Sequence, residues 1–132
     1  MHDIRFAWRG DFSNQALDAL HAEAFEHAVG DDDWRAQVER HSLGWVTARD
    51  PAGLVGFVNV PWDGGVHAWI QDTLVARRRR HEGIGRRLVE IATDQARAAG
   101  CEWLHVDFDE GLGAFYFEAC EFRPTPAGLI AL

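Results

Sequence analysis

Hydrophobic positions along the chain switch repeatedly between a period of two and a period near 3.6. Residues 4–8, Ile-Arg-Phe-Ala-Trp, alternate and predict a first strand. Over 13–28 the apolar residues Leu17, Leu20, Ala24 and Ala28 recur at helical spacing, with Ser13 as an N-cap. Residues 31–41 open on three aspartates and predict a short second helix, because carboxylates suit the positive end of a helix dipole. The stretches 44–50 and 53–60 read as strands joined by the turn Asp50-Pro51-Ala52-Gly53. A second turn at 61–65 leads into a third long strand of the meander at 66–75. From 84 to 99 the period is helical again: Ile84, Leu88, Ile91, Ala92, Gln95 and Ala99 share a face, and Gly100 ends it. A strand at 102–108, a short helix at 112–120 and a last strand at 128–132 complete the pattern. The order β-α-α-β-β-β-α-β-α-β predicts an α/β protein whose mixed sheet carries helices on its faces. No linker, repeat or low-complexity segment interrupts it, so a single domain over residues 1–132 is expected.

Composition narrows the functional classes. The 47% hydrophobic fraction and six tryptophans belong to an ordered globular chain. No run approaches the roughly 20 apolar residues of a membrane span. The first residues lack a basic n-region followed by an apolar core, which predicts the cytoplasm. Cys101 and Cys120 lack CxxC spacing and are expected as reduced thiols, packed or partly buried. All 13 basic residues are arginine, yet the formal net charge is −8. Such a field attracts cations and repels nucleic acid.

Against that background stands Arg77-Arg78-Arg79-Arg80, between the strand ending at Val75 and the helix beginning near Gly83. A loop entering a helix N-terminus presents free N–H groups and the positive end of the dipole. Gly83 and Gly85 let phosphate oxygens approach that backbone, and Arg80 adds fixed charge. Other phosphate motifs fail. A dinucleotide G-x-G-x-x-G needs a glycine where Leu88 stands, and a Walker A loop needs a lysine.

Arg80-His81-Glu82-Gly83-Ile84-Gly85 resembles motif A of the GNAT acetyltransferases, which reads Arg or Gln, two residues, Gly, one residue, Gly or Ala. The order of elements resembles the GNAT fold over essentially the whole chain. So does Cys101-Glu102-Trp103-Leu104-His105-Val106-Asp107-Phe108 followed by a short helix and Glu121-Phe122-Arg123-Pro124. The resemblance implies acetyl-CoA as co-substrate, with the pyrophosphate on the amides of His81, Glu82, Gly83, Ile84, Gly85 and Arg86. It also implies that the strand at 70–75 opens away from the strand at 102–108. The pantetheine arm would lie in the gap, bonded to backbone at Leu74 and Val75. No metal is implied.

Acetyl transfer to an amine requires a neutral nucleophile, although an alkyl ammonium ionises only around pH ~10. A base or a water chain to a carboxylate must take the proton, donors must face the thioester oxygen, and an acid helps the thiolate leave. Asp72 is the candidate base or orienting carboxylate, because Ile70-Gln71-Asp72-Thr73-Leu74-Val75 resembles GNAT strands that place acids near the acetyl group. Its alternative is a structural Asp bonded to a loop. Regular alternation puts it on the face of Ile70 and Leu74; a bulge at the splay reverses that. His67 is a second proton acceptor by residue type. Tyr116, the one tyrosine, resembles the GNAT tyrosine near the coenzyme sulfur. The family pattern Tyr-x-x-x-Gly-Phe would place that tyrosine at Phe117. Tyr116 is one residue early, about 100° away on a helix, and a wider helical turn would restore it.

Trp62 and Asp63 offer a cation–π face and a counter-charge, and Trp34 is a further aromatic for substrate recognition. His105, Asp107, Asp109 and Glu110 are placed to face the cleft. Trp62, Asp63 and Trp34, together with the acidic helix region at Glu23, Glu26, Asp31, Asp32 and Asp33, predict a small amine acceptor, cationic or amino-acid-like. A non-catalytic acyl-CoA-binding or sensor module on the same fold is the alternative. A homodimer through the C-terminal strands is compatible with the pattern. Nucleic acid and membrane are not expected partners. Neither G-x-S-x-G nor HExxH occurs.

Overall fold

The computed structural model describes residues 3–132. In chain order the elements are β1 (Arg5–Trp8), α1 (Asn14–Phe25), α2 (Trp34–His41), β2 (Ser42–Asp50), β3 (Gly53–Pro61), β4 (His67–Val75), α3 (Ile84–Ala98) and β5 (Trp103–Val106). A short 3-10 turn at Arg77–Arg79 links β4 to α3, and a π-helix at Ala114–Ala119 follows β5. Ser13 caps α1 by accepting from the Ala16 amide, and Asp33 caps α2 by accepting from Ala36. Helix α1 stops at Phe25, short of Ala28, because Glu26 turns left-handed at φ 55° and its amide bonds back to Ala22.

The strands form one sheet in the order β1-β2-β3-β4-β5. The first four are antiparallel neighbours, and β5 runs parallel to β4. Helix α3 covers one face. An added Cβ at Gly56 of β3 would lie 3.0 Å from Ile84 and 3.2 Å from Leu88, so the helix sits unusually close to the sheet there. Helix α1 covers the other face, where the Phe12 ring meets Phe57 edge-on at 5.4 Å. Phe57, Leu74, Ile84 and Leu88 are fully buried, each contributing about 1.5–3 kcal/mol of burial.

The expected strand at 128–132 does not form. No strand or helix occupies 121–132, and Leu129, Ile130 and Leu132 are exposed. A strand needs a ladder partner, and β5 pairs on its β4 side alone. Among the described residues no helix is long and apolar enough to cross a membrane.

Candidate active site

The site begins with an interruption in β4. Phe57 pairs with Leu74 and Asn59 with Gln71, so one residue of β4 is extra. That residue is Asp72, whose φ is 53°. Aspartate tolerates this left-handed conformation better than most side chains, and the bulge locally reverses the strand's alternation. Leu74 therefore shares the α1 face with Phe57, while Val75 opposes Gly56 on the α3 face. The Asp72 carboxylate turns toward α1 and meets His21 Nε2 at 3.2 Å. Thr73 faces the opposite way.

The pairing of β4 with β5 also ends here. It runs from His67–Trp103 to Ile70–Val106 and stops. Beyond Ile70 the far side of β4 has no strand partner, which is the expected splay. A cleft of about 530 Å³ opens at this point. Its walls include Asp72, Thr73, Phe108, Tyr116, Asp107 and Asp109, and among the described residues no arginine lines it.

Tyr116 reaches the cleft because its helix is a π-helix. Cys120 N–H bonds to Phe115 O at 2.9 Å, five residues back, and Phe122 N–H bonds to Tyr116 O at 2.9 Å. The wider turn rotates Tyr116 inward, whereas Phe117 is exposed. The Tyr116 hydroxyl donates to Thr73 Oγ1 at 3.1 Å, and its ring stacks on Phe108 at 4.7 Å. Burial pushes the phenol above its ordinary range, so it stays protonated. Burial also pushes the nearby Cys120 thiol up to about 11, which makes it a poor nucleophile.

At the end of β4 the loop has the geometry of an anion cradle. Gly83 is the N-cap of α3 with φ 83°, and nothing lies within 4 Å of where its Cβ would be. The first backbone bond of α3 is Arg87 N–H to Gly83 O at 3.1 Å, so the amides of Ile84, Gly85 and Arg86 precede the helical ladder. At Gly85 an added Cβ would lie 3.2 Å from the Phe115 ring. The missing side chain lets the π-helix pack onto the start of α3. His81 and Glu82 are exposed in the same loop. Arg80 is also exposed, and its Nε approaches the Val75 carbonyl at 3.4 Å.

The other arginines of the run serve the fold. Arg78 grips Asp50 with both terminal guanidinium nitrogens, Nη1 and Nη2, donating at 2.7 and 3.0 Å. Arg79 adds contacts to Asp50 at 3.1 Å, to Asp3 at 2.9 Å and to Glu82 at 3.1 Å. The Arg78 fork holds the Asp50 carboxyl down at about 2. Arg77 donates its amide to Glu23 at 2.6 Å and touches Glu26 at 3.3 Å, tying the loop to α1. Arg77 and Arg78 are thus exposed and Arg79 half-buried, and all three hold their charge in ion pairs.

The three expected substrate-binding residues are not brought to this cleft. Trp34 is buried on α2, where its Nε1 donates to Asp18 at 2.6 Å. It stands behind His21, ring centroids 5.0 Å apart. Trp62 is half-buried against the core and bridges Ala68. Asp63 closes the β3–β4 turn by accepting from Gly65 at 2.7 Å and His67 at 3.3 Å. Those amide donors hold the Asp63 carboxyl below its ordinary range, so it stays ionised on the exposed turn. His67 bonds His105 at 2.7 Å, and these two rings do not line the cleft either. Asp107 and Asp109 do, whereas Glu110 does not.

Residues absent from the expectation are His21, Phe25, Thr73 and Phe108. One signal was available for His21: it lies four residues after Leu17, on the apolar stripe of α1. A polar ring on a buried stripe calls for a partner, and that partner is Asp72. Among the described residues no group of three or more His, Cys, Asp or Glu is placed to hold a metal ion.

A bulged and splayed β4, a glycine-bearing loop at the N-terminus of α3 and a tyrosine helix across the gap define a class of acyl-transfer domain. The chain matches the model of the acetyltransferase (GNAT) family over residues 3–122 and belongs to that family. Solved structures share the fold at low identity. An acetyltransferase of Trypanosoma brucei superposes with a TM-score of 0.83 at 17% identity, covering 98% of this chain and 99% of its own. A probable acetyltransferase of Staphylococcus aureus gives 0.79 at 19%, covering 98% of each chain. Glucosamine-6-phosphate N-acetyltransferase from Arabidopsis thaliana gives 0.76 at 16%, covering 97% of this chain and 98% of its own. A search of curated proteins gave no match.

Proposed function

We propose that the protein is an acetyl-CoA-dependent N-acetyltransferase whose acceptor is a primary amine of a small cationic or amino-acid-like molecule. The observation that carries this reading is the cleft itself. It joins Asp72 and Tyr116 at the unpaired edge of β4, with Asp107 and Asp109 on its wall and, among the described residues, no arginine. An ammonium group gains from those carboxylates, and a phosphorylated or acidic acceptor would be repelled.

Family members use acetyl-CoA as the acetyl donor, and the residues present fit it. The amides of Ile84, Gly85 and Arg86 precede the ladder of α3 and point their donors out of its N-terminus. His81, Glu82 and Gly83 shape the approach, and Arg80 lies beside it. The backbone of Leu74 and Val75 borders the unpaired edge, where an amide-rich arm finds donors and acceptors. When bound, the donor supplies an activated acetyl thioester.

The chain's own residues do the rest. Asp72 orients the ammonium and accepts the proton that must leave before nitrogen can attack. Tyr116, held by Thr73 and still protonated, delivers a proton to the departing sulfur. Phe108 and Phe25 keep water from that end of the cleft. Release of free coenzyme A thiol, followed with a panel of primary amines and acetyl-CoA, tests the proposal. Amine-dependent release supports it. Tight acetyl-CoA binding without release on any amine would instead assign a non-catalytic acyl-CoA-binding or sensor role.

A further inference from the structure

Asp72 does not stand alone. Its Oδ1 meets His21 Nε2 at 3.2 Å, His21 Nδ1 meets His27 Nε2 at 2.6 Å, and His27 Nδ1 meets the carbonyl of Ala28 at 2.7 Å. Four groups thus form one line from the cleft to an exposed ring. The backbone builds it. Left-handed Glu26 reverses the chain after α1, and the His27 amide bonds to Ala22 O at 3.1 Å. The His27 ring then folds back onto His21, centroids 4.9 Å apart. Phe25 and Trp34 flank His21 at 4.7 and 5.0 Å and fix its plane.

Proton counting shows what the line can do. A carbonyl only accepts, so His27 Nδ1 must carry a proton. Three hydrogen bonds need three protons, and two neutral imidazoles bring two. With two, one contact must set lone pair against lone pair, either between the rings or between His21 and the carboxylate. A third proton satisfies all three contacts. It can sit on Asp72 with both rings neutral, or on His21 with Asp72 ionised, and shifts along the line interconvert these forms.

We propose that Asp72, His21 and His27 act as one proton relay that takes the acceptor's proton and delivers it to solvent. This rests on the acetyltransferase reading and extends it to two positioning residues. In the step, an N–H bond of the substrate ammonium breaks and an O–H bond forms on Asp72, leaving the lone pair on nitrogen. The Asp72 proton moves to His21 Nε2, the Nδ1 proton of His21 moves to His27 Nε2, and exposed His27 loses a proton to water. Net, one proton passes from ammonium to solvent, leaving the line in its other two-proton tautomer, with protons on His21 Nε2 and His27 Nδ1.

Two arms test it. In the ¹⁵N-labelled full chain without ligand, long-range ¹H–¹⁵N spectra report which ring nitrogens carry protons. His27 should be protonated at Nδ1. Asp72→Asn should shift the ring nitrogens of His27 as well as those of His21, although Asp72 touches only His21. Unmoved His27 resonances overturn the relay. In the kinetic arm, using the panel amine that turns over fastest, His27→Ala should lower kcat about tenfold and leave KM for acetyl-CoA unchanged. Added imidazole should restore part of the rate. Because His27 lies on the surface the variant should keep its fold, and a wild-type kcat would also overturn the relay. A wild type that acetylates no amine sinks the acetyltransferase reading instead, and the spectra then decide the relay by themselves.

Discussion

The Tyr116 hydroxyl donates to Thr73 Oγ1 at 3.1 Å, one residue past the bulge at Asp72. The same irregularity in β4 therefore presents a carboxylate toward α1 and a hydroxyl toward the π-helix. Acid and base candidates are placed by one backbone feature.

Tyr116→Phe removes the proton donor and keeps the ring stacked on Phe108. It should lower kcat about 10²-fold while KM for acetyl-CoA changes little, a split that steady-state kinetics resolves. Thr73→Val should give a smaller loss, because it frees the hydroxyl without deleting it.

The bulge and the carboxylate can be separated. Asp72→Asn keeps a side chain suited to positive φ and removes the charge, so turnover should fall at least about 10²-fold with nearly unchanged thermal stability. Asp72→Val places a β-branched residue at φ 53° and should cost about 1–3 kcal/mol in a denaturation curve. Equal stability of the two variants would mean that β4 does not depend on the bulge.

Gly85→Val should abolish acetyl-CoA binding measured by calorimetry. Its side chain would enter the space held by Phe115, 3.2 Å from the Cβ position, and push the π-helix off the start of α3. Arg78→Ala should leave that binding within a few-fold, because its guanidinium is spent on Asp50. The reverse pattern would restore the basic run as the binding element.

Asp50 makes a pH prediction. Its carboxyl is held at about 2 in the folded chain against an ordinary 3.8, so it binds a proton less readily folded than unfolded. The stability it contributes is present above about pH 4 and is lost as pH falls through about 2. Asp50→Asn should be less stable than wild type at neutral pH, and the gap should close between about pH 4 and pH 2. A gap that stays constant through that window would contradict the linkage.

Much of this was legible from local pattern. Helical and strand periods gave β1 through β5 and the three α-helices, because each buries one face and so repeats its apolar residues. Glycines 83 and 85 marked the loop because backbone demands there are local. The tail at 128–132 misled, since five mostly apolar residues suit a strand only where a partner runs beside them. Long-range chemistry was also hidden. Asp50 and Asp3 lie 28 and 76 residues from the arginines they neutralise, so these pairings have no local signature in the run. Trp34, Trp62 and Asp63 had suitable chemistry, but Asp18, the core and the β3–β4 turn claimed them. The one-residue offset of Tyr116 against the family pattern pointed to a wider turn, and the helix is a π-helix, although local composition does not encode one.

The most direct test of the central claim is the initial rate of coenzyme A thiol release from acetyl-CoA with small cationic primary amines, comparing wild type with Asp72→Asn. Amine-dependent release by the wild type, falling at least about 10²-fold in the variant, is the predicted result. Release that is independent of amine, or equal in the two proteins, would contradict it.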